Sequence, residues 1–197
     1  MEMELKQQLQ KIIKGKVLNN PAILDQYSRD ASIFKIRPRI IVEPQNVEDI
    51  KNLVNFAGKN KSEKLSLTVR SGGTDMTGGP LGQSIVIDIQ RYLNKIKKIV
   101  ANSATVEPGV FYRDFEKKTL AKNLLLPSYP ASKDICALGG MVANNGAGEK
   151  TLQYGKTEKY VQKLKVVLSD GNEYLIGPLN KSELEQKIIN KLKDFIL

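Results

Sequence analysis

The sequence contains no histidine, no tryptophan and a single cysteine among its 197 residues. Without histidine, a Ser-His or Cys-His nucleophile pair, a His-ligated metal and an imidazole general base are all excluded within this chain. Catalysis by these residues alone would fall to an Asp, Glu, Lys or Tyr with a shifted pKa. One thiol, Cys136, makes neither an internal disulfide nor a cysteine-held zinc cage, and it suits a reducing compartment. No apolar run reaches the ~18 residues that a bilayer span needs. The opening Met1-Glu2-Met3-Glu4-Leu5-Lys6 also lacks the basic-then-apolar layout of a secretion signal, so the expected location is the cytoplasm.

Hydrophobic residues at 41% and charged residues at 26% are the proportions of a folded chain with a real core rather than a disordered one. The net charge is +10. Most of it is lysine scattered along the chain, as at Lys95, Lys97, Lys98, Lys117, Lys118, Lys187, Lys191 and Lys193, the pattern of a solvated surface. Nucleic-acid binding would want that charge on one face beside aromatic or Arg contacts to bases, and aromatics are only 6%. A phosphate-bearing small ligand stays compatible.

Apolar spacing at Leu5, Leu9, Ile12 and Ile13 predicts an amphipathic helix from Met1 to about Lys16, ending near Gly15. After a polar stretch containing Tyr27-Ser28-Arg29-Asp30, the run Arg39-Ile40-Ile41-Val42 reads as a buried strand. Asn46 is a candidate N-cap for a helix from Val47 to about Asn60, with Ile50, Leu53, Val54 and Ala57 on one face. Leu65-Ser66-Leu67-Thr68-Val69 then reads as a second strand, and the βαβ unit so formed implies parallel strands with a right-handed crossover. Further on, the pattern predicts a hairpin of Ile96–Val100 and Ala104–Glu107, a helix from about Val110 to Lys122, strands over Val161–Leu168 and Glu173–Ile176, and a last helix bearing Leu184, Ile188, Ile189 and Leu192.

Three segments hold the chemistry. Arg70-Ser71-Gly72-Gly73-Thr74-Asp75-Met76-Thr77-Gly78-Gly79 follows the second strand, and its glycines allow positive φ and leave backbone amides uncovered for an anion. The alternative is a glycine-rich hairpin, since Ile85-Val86-Ile87-Asp88 resumes a strand. Leu126-Pro127-Ser128-Tyr129-Pro130-Ala131-Ser132 is a shaped loop because its prolines fix φ and remove donors. Leu138-Gly139-Gly140-Met141-Val142-Ala143-Asn144-Asn145-Gly146-Ala147-Gly148 is a run of small residues that permits close backbone approach. Neither a Walker loop nor a dinucleotide fingerprint is present: Glu149 separates Gly148 from Lys150-Thr151, Ala143 stands where the first Walker glycine belongs, and Thr151 stands where the last fingerprint glycine belongs.

Taken in order, these segments resemble the FAD-binding domain of the vanillyl-alcohol oxidase type, also called the FAD-linked oxidase N-terminal domain. Among its members the likeness is to the D-lactate dehydrogenase and glycolate oxidase branch, from about Tyr27 to Ile176. Arg70 through Gly79 is similar to the family's pyrophosphate loop, with Ser71 for a usual Gly and Asp75 for a usual Ser. Glu107-Pro108-Gly109 is similar to its Pro-Gly element. Pro127-Ser128-Tyr129 belongs to the loop that lies against the flavin in relatives. Gly139-Gly140 through Asn144, Asn145 and Gly148, with Tyr154-Gly155 beyond, is similar to the second cofactor-contacting segment. The resemblance therefore implies cofactor contacts from Arg70, Ser71, Gly72, Gly73, Thr74, Asp75, Met76, Thr77, Gly78, Pro108, Gly109, Pro127, Ser128, Tyr129, Gly139, Gly140, Asn144, Asn145, Gly148 and Tyr154.

It also implies an α+β, two-lobed FAD-binding domain, with a small βαβ lobe over residues 37–90 and a larger lobe of mixed or antiparallel sheet with helices over 91–178. A helical segment (1–36) precedes them, and a helix (179–197) leads toward a cap domain that is not in this sequence. Since relatives continue well past the equivalent of Ile176, the resemblance implies a fragment, a split subunit or a truncated product. Flavin attachment should be non-covalent: Thr74 stands where covalently flavinylated relatives carry His, and Cys136 lies about three residues beyond the cysteine of doubly linked relatives, which leaves it a small buried residue. The implied function is the cofactor part of an oxidoreductase acting on a 2-hydroxy acid such as D-lactate or glycolate. No catalytic residue and no metal ligand is implied within this chain, and the substrate would be held by a cap or a partner chain. The alternative from another class is a basic nucleotide- or nucleic-acid-binding module without enzymatic activity.

Overall fold

The computed structural model describes residues 2–196, with side chains from Met3 to Ile189. Helix α1 (Glu2–Ile12) leads into a short strand β1 (Lys16–Leu18) and helix α2 (Pro21–Gln26); strand β2 (Ile40–Glu43), helix α3 (Val47–Lys59), strand β3 (Leu67–Arg70) and strand β4 (Ile85–Asp88) complete the first lobe. These strands form one sheet in the order β1-β2-β4-β3, with β1 antiparallel to β2 and both β2 and β3 parallel to β4. The two strands expected to flank a βαβ crossover are indeed parallel, but β4 lies between them. Neither is an edge-to-edge neighbour of the other, because the strongest apolar strand, Ile85-Val86-Ile87, is buried on both faces and takes the centre.

Alternation decides which layer each residue joins. Ile40, Val42, Ile85 and Ile87 face Leu5 and Leu9 of α1 and Leu53 of α3, whereas Ile41 and Val86 face Leu24 of α2. The segment 1–36 thus supplies two helices, an edge strand and core residues to the first lobe's sheet. α1 ends at Ile12, earlier than its apolar periodicity suggested, and the chain turns at Lys14-Gly15 under the control of one buried carboxylate. Asp49, 2% exposed in the first turn of α3, accepts the amides of Lys14 (2.9 Å), Gly15 (2.9 Å) and Gln45 (2.8 Å), while Asn46 caps its own amide at 3.0 Å. Asp49→Ala leaves three amides without their acceptor and removes a negative charge from a helix N-terminus. A loss of about 3 kcal/mol in urea unfolding is expected, the scale of a charge-assisted hydrogen-bond cluster.

The second lobe begins with strands β5 (Ile96–Val100) and β6 (Ser103–Val106), a hairpin that turns through Ala101 with φ +48. Helices α4 (Tyr112–Leu120), α5 (Leu138–Ala143) and α6 (Thr151–Tyr154) follow, then strands β7 (Leu164–Val167) and β8 (Glu173–Ile176) and helix α7 (Lys181–Ile196). Val110, Tyr112, Phe115, Tyr129, Cys136, Leu138 and Met141 form its core, backed by Ile96 and Val106. Among the described residues its sheet is two separate two-stranded antiparallel ladders rather than one larger sheet. Leu184, Ile188 and Ile189, expected on the apolar side of the last helix, are each about half exposed; Leu192 lies outside the described side chains. None of the described helices is long and apolar enough to cross a membrane.

Candidate cofactor site

In a sheet of parallel strands, the backbone at the carboxyl ends is free to make loops that receive a ligand. Here β2, β4 and β3 end side by side at Glu43, Asp88 and Arg70, and the glycine-rich segment leaves directly from Arg70. Because β3 and β4 are parallel neighbours, this segment is a crossover, and the hairpin alternative is excluded.

The loop is pinned at its base and folded at its tip, and its amides are free between. Arg70 O accepts the Ile89 amide at 3.2 Å, and Gly73 O accepts the Ala31 amide at 3.1 Å. The Asp75 carboxylate accepts the Thr77 amide at 3.1 Å, the Thr77 hydroxyl at 2.9 Å and the Gly79 amide at 2.8 Å. Burial opposes ionisation of Asp75, and these donors together outweigh it and hold the carboxyl below its usual range. Gly73 and Gly78 take φ +65 and +86, which a glycine adopts without steric cost, and Met76 is exposed at the tip. Among the described residues, the amides of Gly72, Gly73, Thr74 and Asp75 have no protein acceptor. A run of unpartnered backbone amides of this kind can receive an anion.

The second lobe meets this loop through glycines. A Cβ on Gly72 would stand 2.3 Å from Ile135 O, and one on Gly140 would stand 2.7 Å from Ser71 Oγ. Gly139 rests on Pro108 and donates to its carbonyl at 2.8 Å, and Gly109 donates to Leu93 O at 2.7 Å. Ser71-Gly72 is thus packed against Ile135 and Gly140, and Gly139 against Pro108.

Other expected contacts lie differently. Pro127, Ser128 and Tyr129 are buried in the second lobe's core. The Tyr129 ring packs 5.4 Å from that of Tyr112, and its hydroxyl donates to Glu149 at 2.7 Å. Gly148 supports that loop from outside, where a Cβ would meet Tyr129 O at 2.0 Å. Asn145, at φ +45, exchanges hydrogen bonds with Glu158: its Nδ2 donates at 2.8 Å and its Oδ1 accepts the Glu158 amide at 3.0 Å. Asn144 and Tyr154 are exposed and make no side-chain hydrogen bond among the described residues.

Beneath the loop, Tyr27, Asp88 and Glu43 form an environment that pattern reading did not assign to the site. The Arg70 guanidinium lies over the Tyr27 ring, 5.1 Å from its centroid, and donates to Tyr27 O at 3.4 Å. The Tyr27 hydroxyl donates to Asp88 Oδ2. Burial, then this hydrogen bond, pushes the Tyr27 phenol above its usual range, and burial pulls Arg70 downward. Burial also raises the Glu43 carboxyl, opposed by Arg91, whose Nε stands 3.3 Å from Glu43 Oε2. In the second lobe Cys136 is 4% exposed, and burial pushes its thiol up to about 11, as its reading as a small buried residue expected.

Residues 38–176 match the family described as FAD binding domain. The chain belongs to that family. This FAD-binding domain is 25% identical over 177 residues to D-2-hydroxyglutarate dehydrogenase of Haemophilus influenzae, covering 89% of the chain and 17% of the relative. It is 30% identical over 151 residues to glycolate oxidase subunit GlcD of Bacillus subtilis, covering 74% and 31%. Its fold superposes on 6-hydroxy-D-nicotine oxidase from Arthrobacter nicotinovorans with a TM-score of 0.71 at 24% identity, over 84% of the chain and 36% of that structure. The chain therefore spans well under half the length of each relative. The resemblance to FAD-linked oxidases is borne out, and the nucleic-acid alternative finds no support in these matches. The site also fits the cofactor on its own chemistry: a diphosphate wants convergent donors with no side chain in the way, and the domain offers four free amides, close-approach glycines and an arginine.

Proposed function

We propose that this chain binds FAD without a covalent bond and forms the cofactor half of an oxidoreductase that oxidises a 2-hydroxy acid. The observation that carries the reading is the run of partnerless amides from Gly72 to Asp75, at the carboxyl end of β3 and next to Arg70. Arg70 through Gly78 would hold the pyrophosphate, with Pro108-Gly109 and Gly139-Gly140 allowing the cofactor to pass between lobes 37–90 and 91–178. Pro127, Ser128, Tyr129, Asn145 and Gly148 would shape the wall behind it, and Asn144 and Tyr154 would line its rim. Bound FAD supplies a hydride acceptor; the chain's residues supply orientation and charge compensation. The substrate class follows the names of the relatives, and a cap domain or partner chain would hold that substrate. The single free cysteine favours the cytoplasm.

Non-covalent attachment is supported by Thr74 in the glycine loop, which offers no nucleophile of the imidazole kind, and by the buried, protonated Cys136 thiol. Acid precipitation of the loaded protein should leave all the flavin in the supernatant; yellow colour in the pellet would refute this attachment. FAD at about 100 times its dissociation constant should add roughly 2.7 kcal/mol of stability, visible as a thermal shift. No shift would overturn the assignment of the site.

A further inference from the structure

Arg70 and Asp88 are register partners of opposite charge on adjacent parallel strands, close enough in the sheet for an ion pair to be open to them. No such pair forms within 4.0 Å among the described residues. Tyr27 is the reason. Its hydroxyl occupies Asp88 Oδ2, the Gln90 amide occupies Asp88 Oδ1 at 2.7 Å, and its ring and carbonyl seat the guanidinium at 5.1 and 3.4 Å. The other nearby carboxylate, Asp30, accepts the Ser32 amide and hydroxyl on Oδ1 at 2.8 and 2.5 Å, while its Oδ2 is buried without a hydrogen-bond partner among the described residues and makes no ion pair with Arg70 within 4.0 Å. Arg70 is left half-buried without a direct ion pair among the described residues, in the field of the Asp30 and Asp88 carboxylates but in contact with neither, with Nη2 only 2.3 Å from where a Gly73 Cβ would be. A desolvated cation directly beneath four free amides favours an anion above them.

We infer that Tyr27 is a positioning residue for the diphosphate, keeping the Arg70 charge available to the glycine loop by seating the guanidinium on its ring and by occupying Asp88 with its hydroxyl. This rests on the proposed FAD site. Removing only the hydroxyl, in Tyr27→Phe, frees Asp88 to pair with Arg70 and draws the charge away from the loop. Removing the freed carboxylate as well, in Tyr27→Phe/Asp88→Asn, returns the charge, since the uncharged carboxamide keeps an oxygen that can accept the Gln90 amide. A merely structural tyrosine gives the opposite order, with the double variant worse than the single.

The test is calorimetric titration of the chain with FAD and with ADP, and with riboflavin, which lacks the diphosphate. Tyr27→Phe should weaken FAD and ADP about tenfold, the scale of one charge contact, and should leave riboflavin unchanged; the double variant should recover to within about twofold. Arg70→Met, which removes the charge itself, should weaken ADP about tenfold or more and resist rescue by Asp88→Asn. Wild-type affinity in Tyr27→Phe, absence of recovery in the double variant, or unaltered ADP affinity in Arg70→Met overturns the inference while leaving the FAD site standing. Failure of the wild-type chain to bind either FAD or ADP overturns the site and the inference together. If Tyr27→Phe does not fold, the Arg70→Met pair decides.

Discussion

Gly73→Val is expected to reduce FAD affinity at least about a hundredfold, a loss of roughly 2.7 kcal/mol, while the chain keeps its fold. At φ +65 the valine backbone enters a region that costs an L-residue roughly 1–2 kcal/mol, and a β-branched side chain fits it worst. Its Cβ would also stand 2.3 Å from Arg70 Nη2 and 2.8 Å from Cζ. The flexible arginine can yield, but only by leaving its seat on Tyr27. If the backbone relaxes instead, the amides of Gly73 and Thr74 change direction. Either route removes anion binding. The core is untouched because Gly73 belongs to neither lobe's buried cluster. Gly73→Asn, which tolerates the left-handed region but brings the same Cβ against Arg70, should keep the loop's backbone and still lose affinity, by less than valine does. Flavin fluorescence titration beside circular-dichroism melting checks the expectation. Equal FAD affinity in a folded Val variant would show that the loop is only a crossover.

Loaded with FAD, the chain by itself is expected not to turn over D-lactate, glycolate or another 2-hydroxy acid faster than free flavin does. Oxidation of such a substrate needs a base for the hydroxyl proton and a cation for the carboxylate, both fixed in place. A positioned base alone contributes about 10² to 10⁴-fold, and fixed geometry contributes up to roughly 7–11 kcal/mol. The sequence holds no histidine, and the described residues hold no group of three or more His, Cys, Asp or Glu placed to bind a metal ion. Tyr27 and Tyr112 are no substitutes, since burial pushes both phenols upward, away from the neutral range a base requires. Arg70 would be committed beneath the glycine loop. The check is anaerobic bleaching of bound FAD by a panel of 2-hydroxy acids, compared with free FAD. Rapid, substrate-specific bleaching would show that the chain carries a complete active site.

Local chemistry was enough for much of the fold. Asn46 caps α3 as its spacing with the following apolar face required, the β5–β6 and β7–β8 hairpins stand where turn residues interrupt β-branched runs, and α1 follows its i, i+4 leucines. β1 and α2 were missed because three and six residues are too few to show a period; tertiary partners hold them in place, β2 for the strand and the Ile41/Val86 face for the helix.

The glycine loop, the Pro-Gly element and the Gly139-Gly140 segment were legible in the sequence because close approach and positive φ restrict residue type at the position itself. Whether a side chain faces a ligand is not restricted in that way. The partners of Tyr129 and Asn145, for example, are Glu149 and Glu158, 20 and 13 residues away along the chain, and the local sequence does not announce either pairing. Likewise, Tyr27 and Asp88 are 61 residues apart and become neighbours only when β4 inserts between β2 and β3. Sequence by itself determined the loop that can receive a diphosphate, since backbone freedom is a local property. Only the tertiary structure decided which charge stands beneath it, because that depends on strand order and on which carboxylates are already occupied.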